Sequence, residues 1–282
     1  MTTEYRLGTF KSASFCVFGN RFFALIVASA IVLYKKLTNK YTKEAPFHYY
    51  LPSSISNSLS SWAQYEALKY VSFPSQVLSK SCKLIPVMFV GIILNKKTYP
   101  FIEYVEAILI TVGVAIFTFS EKKKKISDNM HVDTVFGVSL LALYLVCDSF
   151  TSQWQSKVFK QFSIDQYQMM LGVNIWSMLL TGFTLIQSGE GVESLAFIMA
   201  DSEAFVHMLI LSTTSAIGQL FIFYTIKEFG PVIFTIMMTT RQIFSLFLSC
   251  IMFSHPLTIF GWIGSLLVFL IVFQRIYRKG SD

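Results

Sequence analysis

Apolar residues run along this chain in blocks of about 20, separated by short polar connections, and roughly 20 consecutive apolar residues are what a helix needs to cross a bilayer. The blocks fall near residues 15–34, 47–70, 74–94, 99–119, 134–154, 166–187, 204–226, 231–253 and 257–277, which predicts nine spans and an all-α polytopic membrane protein. Two blocks break the pattern. The second has a Ser-rich centre, SSISNSLSSW, poor in large apolar residues; small hydroxylated side chains suit close helix packing inside a bundle rather than a lipid-facing position. The third, PSQVLSKSCKLIPVMFVGIIL, has the length and apolar weight of a span but sets Lys80 and Lys83 where the hydrocarbon centre belongs.

Composition leaves no room for a soluble domain, with 54% hydrophobic residues and a mean hydropathy of +0.56. The net charge of +7 sits in the connections between blocks, so it speaks of topology and not of nucleic-acid binding. Lys35, Lys36, Lys40, Lys43, Lys96, Lys97, Lys157, Lys160, Lys227, Arg275, Arg278 and Lys279 share one side when nine spans alternate, and the positive-inside rule makes that side, with the C-terminus, cytosolic. The other side carries an acidic loop around Glu190, Glu193, Asp201 and Glu203, and one contrary run, EKKKK, from Glu121 to Lys125. Cys16, Cys82, Cys147 and Cys250 all lie in apolar blocks, as small hydrophobes rather than a disulfide framework. The chain holds no N-glycosylation sequon, and its first residues lack the order of a cleaved signal peptide.

A weak internal repeat relates Val71 to Phe117 with Phe229 to about Phe273; laying Lys83 on Arg241 sets Ile85 on Ile243. Repeated halves with ionisable groups near the bilayer midplane mark secondary transporters. The predicted organisation is a single transmembrane domain over 1–282, with residues 1–120 in the first repeat and 133–282 in the second.

The strings SSWAQYEALKYVSFPSQVLSKSCKLIPVM, DSFTSQWQ, QMMLGVN, GQLFIFYTI and FTIMMTTRQIFSLFLSC resemble, in order and spacing, the Golgi transporters for 3′-phosphoadenosine 5′-phosphosulfate (PAPS) within the nucleotide-sugar transporter family. That resemblance implies ten helices in two inverted five-helix repeats, cytosolic termini, and exchange of PAPS for adenosine 3′,5′-bisphosphate, with no cofactor. Against that pattern the family's first helix has no counterpart here, so a truncated form is expected, and a non-transporting subunit that pairs with a full-length chain is a further reading; a homodimer is left open. Family members retained in the endoplasmic reticulum resemble one another in a C-terminal dilysine tail. This chain ends YRKGSD, which points to the Golgi membrane.

A Lys or Arg at the centre of a membrane helix costs roughly 2.5–3.5 kcal/mol on insertion scales, so Lys80 and Lys83 need an offsetting role. Gln76, Lys80 and Lys83 share one helical face, a polar stripe that suits a cavity. Arg241 in the repeat-related span and Arg21 beside Asn20 in the first span complete a set of cations for the phosphates and sulfate of PAPS, Arg through a bidentate fork and Lys as a point charge. Asn174, Gln219 and Tyr224 are candidates to hydrogen-bond base or ribose, and Tyr65, Tyr70 or Phe73 to stack on the purine.

Each candidate has a plainer reading beside it. Arg21 can snorkel to an interface; Lys80 and Lys83 can pair with Asp148 or Glu66; Glu66 and Lys69 are spaced for a local ion pair; polar side chains between membrane helices often serve packing alone. Gly113, Gly218, Gly261 and Gly264 read as close-packing points, and Gly230–Pro231 as a turn. An enzyme would require clustered carboxylates, a metal-ligand set or a nucleophile with its base. His48, His131, His207 and His255 are scattered, and Glu190 with Glu193 reads as a solvated face, so neither catalysis nor a metal site is expected. A uridine-linked nucleotide-sugar is the alternative cargo.

Overall fold

The computed structural model describes residues 4–5, 8–9, 12–38, 44–67, 70, 80, 82–122, 134–252 and parts of 263–274. Apart from a two-residue antiparallel pair, β1 (Glu4–Tyr5) with β2 (Gly8–Thr9), the regular structure among them is helical. The chain divides into two compact units, one of Met1–Ser58 with Trp154–Glu228, the other of Leu59–Gln153 with Phe229–Asp282.

In the first unit, α1 (Ala13–Leu37) begins where the Ser12 hydroxyl accepts the Phe15 N–H at 3.2 Å, and closes with Lys35 and Lys36 in its last turn, where cations complement the helix dipole. Its burial is inverted relative to a soluble helix. Ala24 and Ala28 are fully buried, whereas Phe22, Ile26 and Leu33 face outward, as expected when the surroundings are lipid and helices approach through small residues. The helix packs along α6 (Gln166–Ser188), which starts in a capping box: Asp165 caps the helix and the Gln168 side chain returns to the Asp165 N–H.

The Ser-rich second block forms a 3-10 turn (Phe47–Tyr50) running into α2 (Leu51–Ala67). Ser53, Ser54, Ser56 and Ser60 are buried, so the helix packs through its small-residue face as its composition predicted, but Ile55, Leu59 and Trp62 are exposed, so unlike the expectation it also presents an outward apolar face. The Ser54 hydroxyl lies 3.0 Å from the Val173 carbonyl of α6, and the turn is pinned by the indole N–H groups of Trp154 and Trp176, which donate to the Tyr49 and Phe47 carbonyls at 2.8 and 3.1 Å. Gly172 is the close-packing point here: a Cβ on it would stand 2.5 Å from the Tyr50 ring.

In the second unit, α3 (Leu84–Asn95) and α4 (Phe101–Lys122) bury Leu84, Val87, Met88, Ala107 and Ile110 against Val232, Ile236 and Ile271. The long helix α5 (Thr134–Phe162) contributes to both units, and Gln153 on it, fully buried, donates to the Val87 carbonyl at 2.7 Å and accepts from Asn95 Nδ2 at 2.8 Å.

Three expectations need correction. The stretch from Glu190 is not a loop but the helix α7 (Glu190–Ala200), entered through Gly189 at φ 71°, with Glu190 and Glu193 in the first turn where the dipole favours them. Gly218 is not a close-packing point, since a Cβ there would meet nothing within 4 Å; Gly19, Gly91 and Gly172 do that work. Lys83 is not inside a continuous helix: Cys82 and Lys83 form a turn, and α3 starts at Leu84 with Lys83 as its N-cap.

The final described helix, α8 (Ser202–Met252), is broken at Gly230, whose φ of 81° and ψ of 172° suit only glycine and precede Pro231, as the turn signal indicated. Among the described residues four helices are long and apolar enough to cross a membrane, Ser14–Leu37, Val135–Phe162, Gln166–Ser188 and Ser202–Arg241. The protein is an all-α, multi-pass membrane protein.

Candidate functional site

Lys83 stands at the N-terminal end of α3, where unsatisfied N–H groups and the helix dipole disfavour a cation, and where Pro86 offers no N–H. An anion there is favoured instead. The structure supplies one from α5: Lys83 Nζ lies 2.6 Å from Asp148 Oδ2. The same ammonium sits 5.5 Å from the centroid of the Phe234 ring on α8, within range of a cation–π contact. The Tyr144 hydroxyl, one turn before Asp148 on α5, lies within interaction range of that carboxylate.

Lys80 precedes this by one turn, its carbonyl 3.4 Å from the Lys83 N–H, and it lies within electrostatic reach of Asp148, Lys83 and Arg241. Arg241, on α8 beyond the Gly230 break, is exposed. The second unit therefore brings together Lys80, Lys83 and Arg241 with Asp148, three cations and one carboxylate. Of the remaining candidates in that unit, Gln76 and Phe73 lie outside the described residues, as does the side chain of Tyr65. Tyr70 packs edge-on to Phe136 with ring centroids 4.9 Å apart.

The other candidates belong to the first unit and form a polar seam between helices. Asn174 Nδ2 on α6 donates to Gln219 Oε1 on α8 at 2.9 Å and to the Met170 carbonyl at 2.7 Å. Asn20 Oδ1, Asn174 Oδ1, Ser177 Oγ and Ser212 Oγ are buried and meet no hydrogen-bond partner among the described residues. α1 approaches α8 closely at this level, a Cβ on Gly19 running into Met208 Cε and falling 3.5 Å from Ser212 Oγ. Arg21, next to Asn20, is half-buried, and Tyr224 is exposed on α8.

Two groups were missed. Tyr144 was legible as a residue four before Asp148 in YLVCD, a spacing that places both on one helix face. Asp165 was legible as an N-cap with Gln three residues on. It also accepts from Lys35 at the end of α1 and, at 3.4 Å, from Lys227 on α8. Burial works to raise its carboxyl, but the hydrogen bond and charge of Lys35, the Gln166 N–H and the charge of Lys227 outweigh it and hold the group below the usual carboxylate range.

Such a site can bind and orient a multiply charged anion; among the described residues it offers no paired nucleophile and base. Comparison with known proteins agrees. Residues 7–279 match the UAA transporter family, and the chain belongs to that family, one of transporters and not of enzymes. It is 44% identical over 269 residues to adenosine 3′-phospho 5′-phosphosulfate transporter 1 of Drosophila melanogaster, covering 95% of this chain and 57% of the relative. It is 44% identical over 272 residues to the protein of the same name from Homo sapiens, covering 96% and 61%. UDP-galactose/UDP-glucose transporter 5 of Arabidopsis thaliana is 38% identical over 272 residues, 96% of this chain and 78% of that one. The chain thus spans about three fifths of the length of those two PAPS transporter relatives.

Proposed function

We propose that this chain carries PAPS from the cytosol into the Golgi lumen in exchange for adenosine 3′,5′-bisphosphate, supplying sulfotransferases there. The observation that carries the reading is the gathering of Lys80, Lys83 and Arg241 in one unit with Asp148 as the counter-charge named among them. PAPS bears about four negative charges when its phosphomonoester is counted at nearly two, a match for several membrane-embedded cations. A uridine-diphosphate sugar bears about two, so the same set would be in excess for it. The relatives named as PAPS transporters support this cargo; the Arabidopsis relative supports a nucleotide-sugar as the second reading.

The anion site in this proposal comprises Lys80, Lys83, Arg241 and Gln76, all of the second unit; within the first unit, Arg21 and Asn20 are proposed for anionic groups, and Asn174, Gln219 and Tyr224 for base and ribose. The architecture is nine spans of a ten-helix, two-repeat inverted arrangement, the first repeat within 1–120 and the second within 133–282, with the C-terminus cytosolic. The shared core of Leu84, Met88 and Ile110 with Val232, Ile236 and Ile271 supports the repeat, because its halves come from segments the repeat makes equivalent. The test is uptake of radiolabelled PAPS into proteoliposomes preloaded with adenosine 3′,5′-bisphosphate, beside a panel of nucleotide-sugars. Preload-dependent uptake of PAPS is expected; selective uptake of UDP-galactose would establish the second reading instead.

A further inference from the structure

We propose that Asp148 is an internal stand-in for the substrate's anion: it holds Lys83 while the site is empty and yields it to a phosphate or sulfate oxygen when substrate binds. This rests on the assignment of Lys80, Lys83 and Arg241 as the anion site.

Three observations carry it. First, the Lys83–Asp148 pair is short, 2.6 Å, yet not sealed: the two side chains keep 12% and 26% of their exposure, so the carboxylate can separate from the ammonium without being stranded in a dry core. Second, Asp148 has another partner on its own helix, the Tyr144 hydroxyl, and Tyr144 is itself buried. When Lys83 turns to substrate, that hydroxyl is at hand to donate to the carboxylate. Third, Lys80 lies within electrostatic reach of Asp148, Lys83 and Arg241, so the displaced carboxylate stays near a second cation and the incoming anion meets more than one.

The consequence is a threshold. With Asp148 in place the described residues of the unloaded site present three cations less one carboxylate, and an anion has to displace an existing ion pair before it gains Lys83. A ligand with several charges recovers that cost through Lys80 and Arg241 together; a ligand with few does not. The same pair lowers the uncompensated charge of the unloaded site, which a low-dielectric environment would otherwise penalise. Asp148 thereby sets both selectivity for highly charged anions and the ease with which product leaves.

Two variants move in opposite directions on this account. Asp148→Asn removes the competitor and should bind PAPS and adenosine 3′,5′-bisphosphate roughly tenfold more tightly, with slower turnover in exchange because product leaves more slowly. Tyr144→Phe removes the partner that satisfies the displaced carboxylate, so it should weaken both ligands by about threefold. The double variant should match Asp148→Asn, since Tyr144 acts only through Asp148. A purely structural ion pair predicts lower melting temperatures in both variants and no gain in affinity in either.

Binding isotherms and exchange kinetics on purified wild type and variants, with PAPS, adenosine 3′,5′-bisphosphate and UDP-galactose, decide the matter. Unchanged or weaker affinity in folded Asp148→Asn overturns the proposal; where that variant yields no folded protein, unchanged affinity in Tyr144→Phe overturns it. If wild type binds UDP-galactose and not PAPS, the cargo reading fails, and tighter UDP-galactose binding by Asp148→Asn still upholds Asp148 as competitor.

Discussion

The ammonium of Lys35, at the end of α1, donates to the same Asp165 carboxylate that caps α6. Lys227 on α8 reaches the second oxygen, so one acidic residue ties three helix ends. Replacing Asp165 by Asn keeps an acceptor for the cap but removes the charge, while Asp165→Ala removes both. We expect losses of about 1–3 kcal/mol, larger for Ala, read as melting temperature in detergent. The pH dependence has a defined sign. The carboxyl titrates lower in the folded protein than in the unfolded chain, so its contribution is complete above the unfolded carboxylate's range and is lost as pH falls through the depressed folded value. Wild type and Asp165→Asn should therefore differ by a constant amount from about pH 5 to 8 and converge only in strong acid.

Neutralising a cation at the anion site should separate binding from folding. Lys80→Met and Arg241→Met are expected to weaken PAPS binding by about 1.5–3 kcal/mol, roughly tenfold or more, with folding little changed. Lys83→Met also leaves Asp148 without its ion-pair partner. That variant should lose yield as well as affinity, and adding Asp148→Asn should restore the yield but not the wild-type affinity. Arg241→Lys should remain impaired, because a point charge does not reproduce a bidentate fork. Isotherms on the purified variants check all four; normal affinity in folded Arg241→Met would remove Arg241 from the site.

Much of this was written in the sequence. Blocks of apolar residues marked the four described helices long enough to span, since helix length against bilayer thickness is a strong constraint, and SSISNSLSSW marked a helix that packs through its Ser face while Ile55, Leu59 and Trp62 lie exposed on the other. What escaped was the local backbone. A turn at Cys82–Lys83 looks, in hydropathy, like the continuation of a span, so nothing in the apolar pattern marks where the helix restarts. The helix Glu190–Ala200 was hidden by its acidic start, which reads as a loop unless the charges are recognised as first-turn residues. Pairing was harder still: Asp148 was one of two carboxylates open to Lys83, and the choice between it and Glu66 depends on which helices meet, a non-local fact.

The polar seam between α6 and α8 offers a third test. Gln219→Leu removes the acceptor for Asn174 Nδ2 and leaves a polar group in an apolar setting. Hydrogen bonds between membrane helices average below 1 kcal/mol and seldom exceed about 2, so a small loss of thermal stability is expected. If the unpartnered Asn174 Oδ1 serves base or ribose, PAPS should raise the melting temperature of the variant less than that of wild type. Equal ligand-induced shifts would confine Asn174 and Gln219 to helix packing.

Gly91 on α3 faces Gln153 on α5 so closely that a Cβ would lie 2.6 Å from Gln153 Nε2 and 2.4 Å from Tyr99 Oη. The amide cannot retreat freely, because the same nitrogen donates to the Val87 carbonyl at 2.7 Å and its oxygen accepts from Asn95. Gly91→Ala should therefore push α3 from α5 or break the Gln153 bond, at a cost of about 1–3 kcal/mol. Since Lys83 caps α3 at its N-terminus, such a shift also displaces the cation from Asp148. The expected outcome is a lower melting temperature together with altered PAPS affinity. Gly218→Ala, whose new methyl meets nothing within 4 Å, is the matched control and should be silent in both measurements. Equal behaviour of the two variants would show that α3 and α5 are not held at this distance.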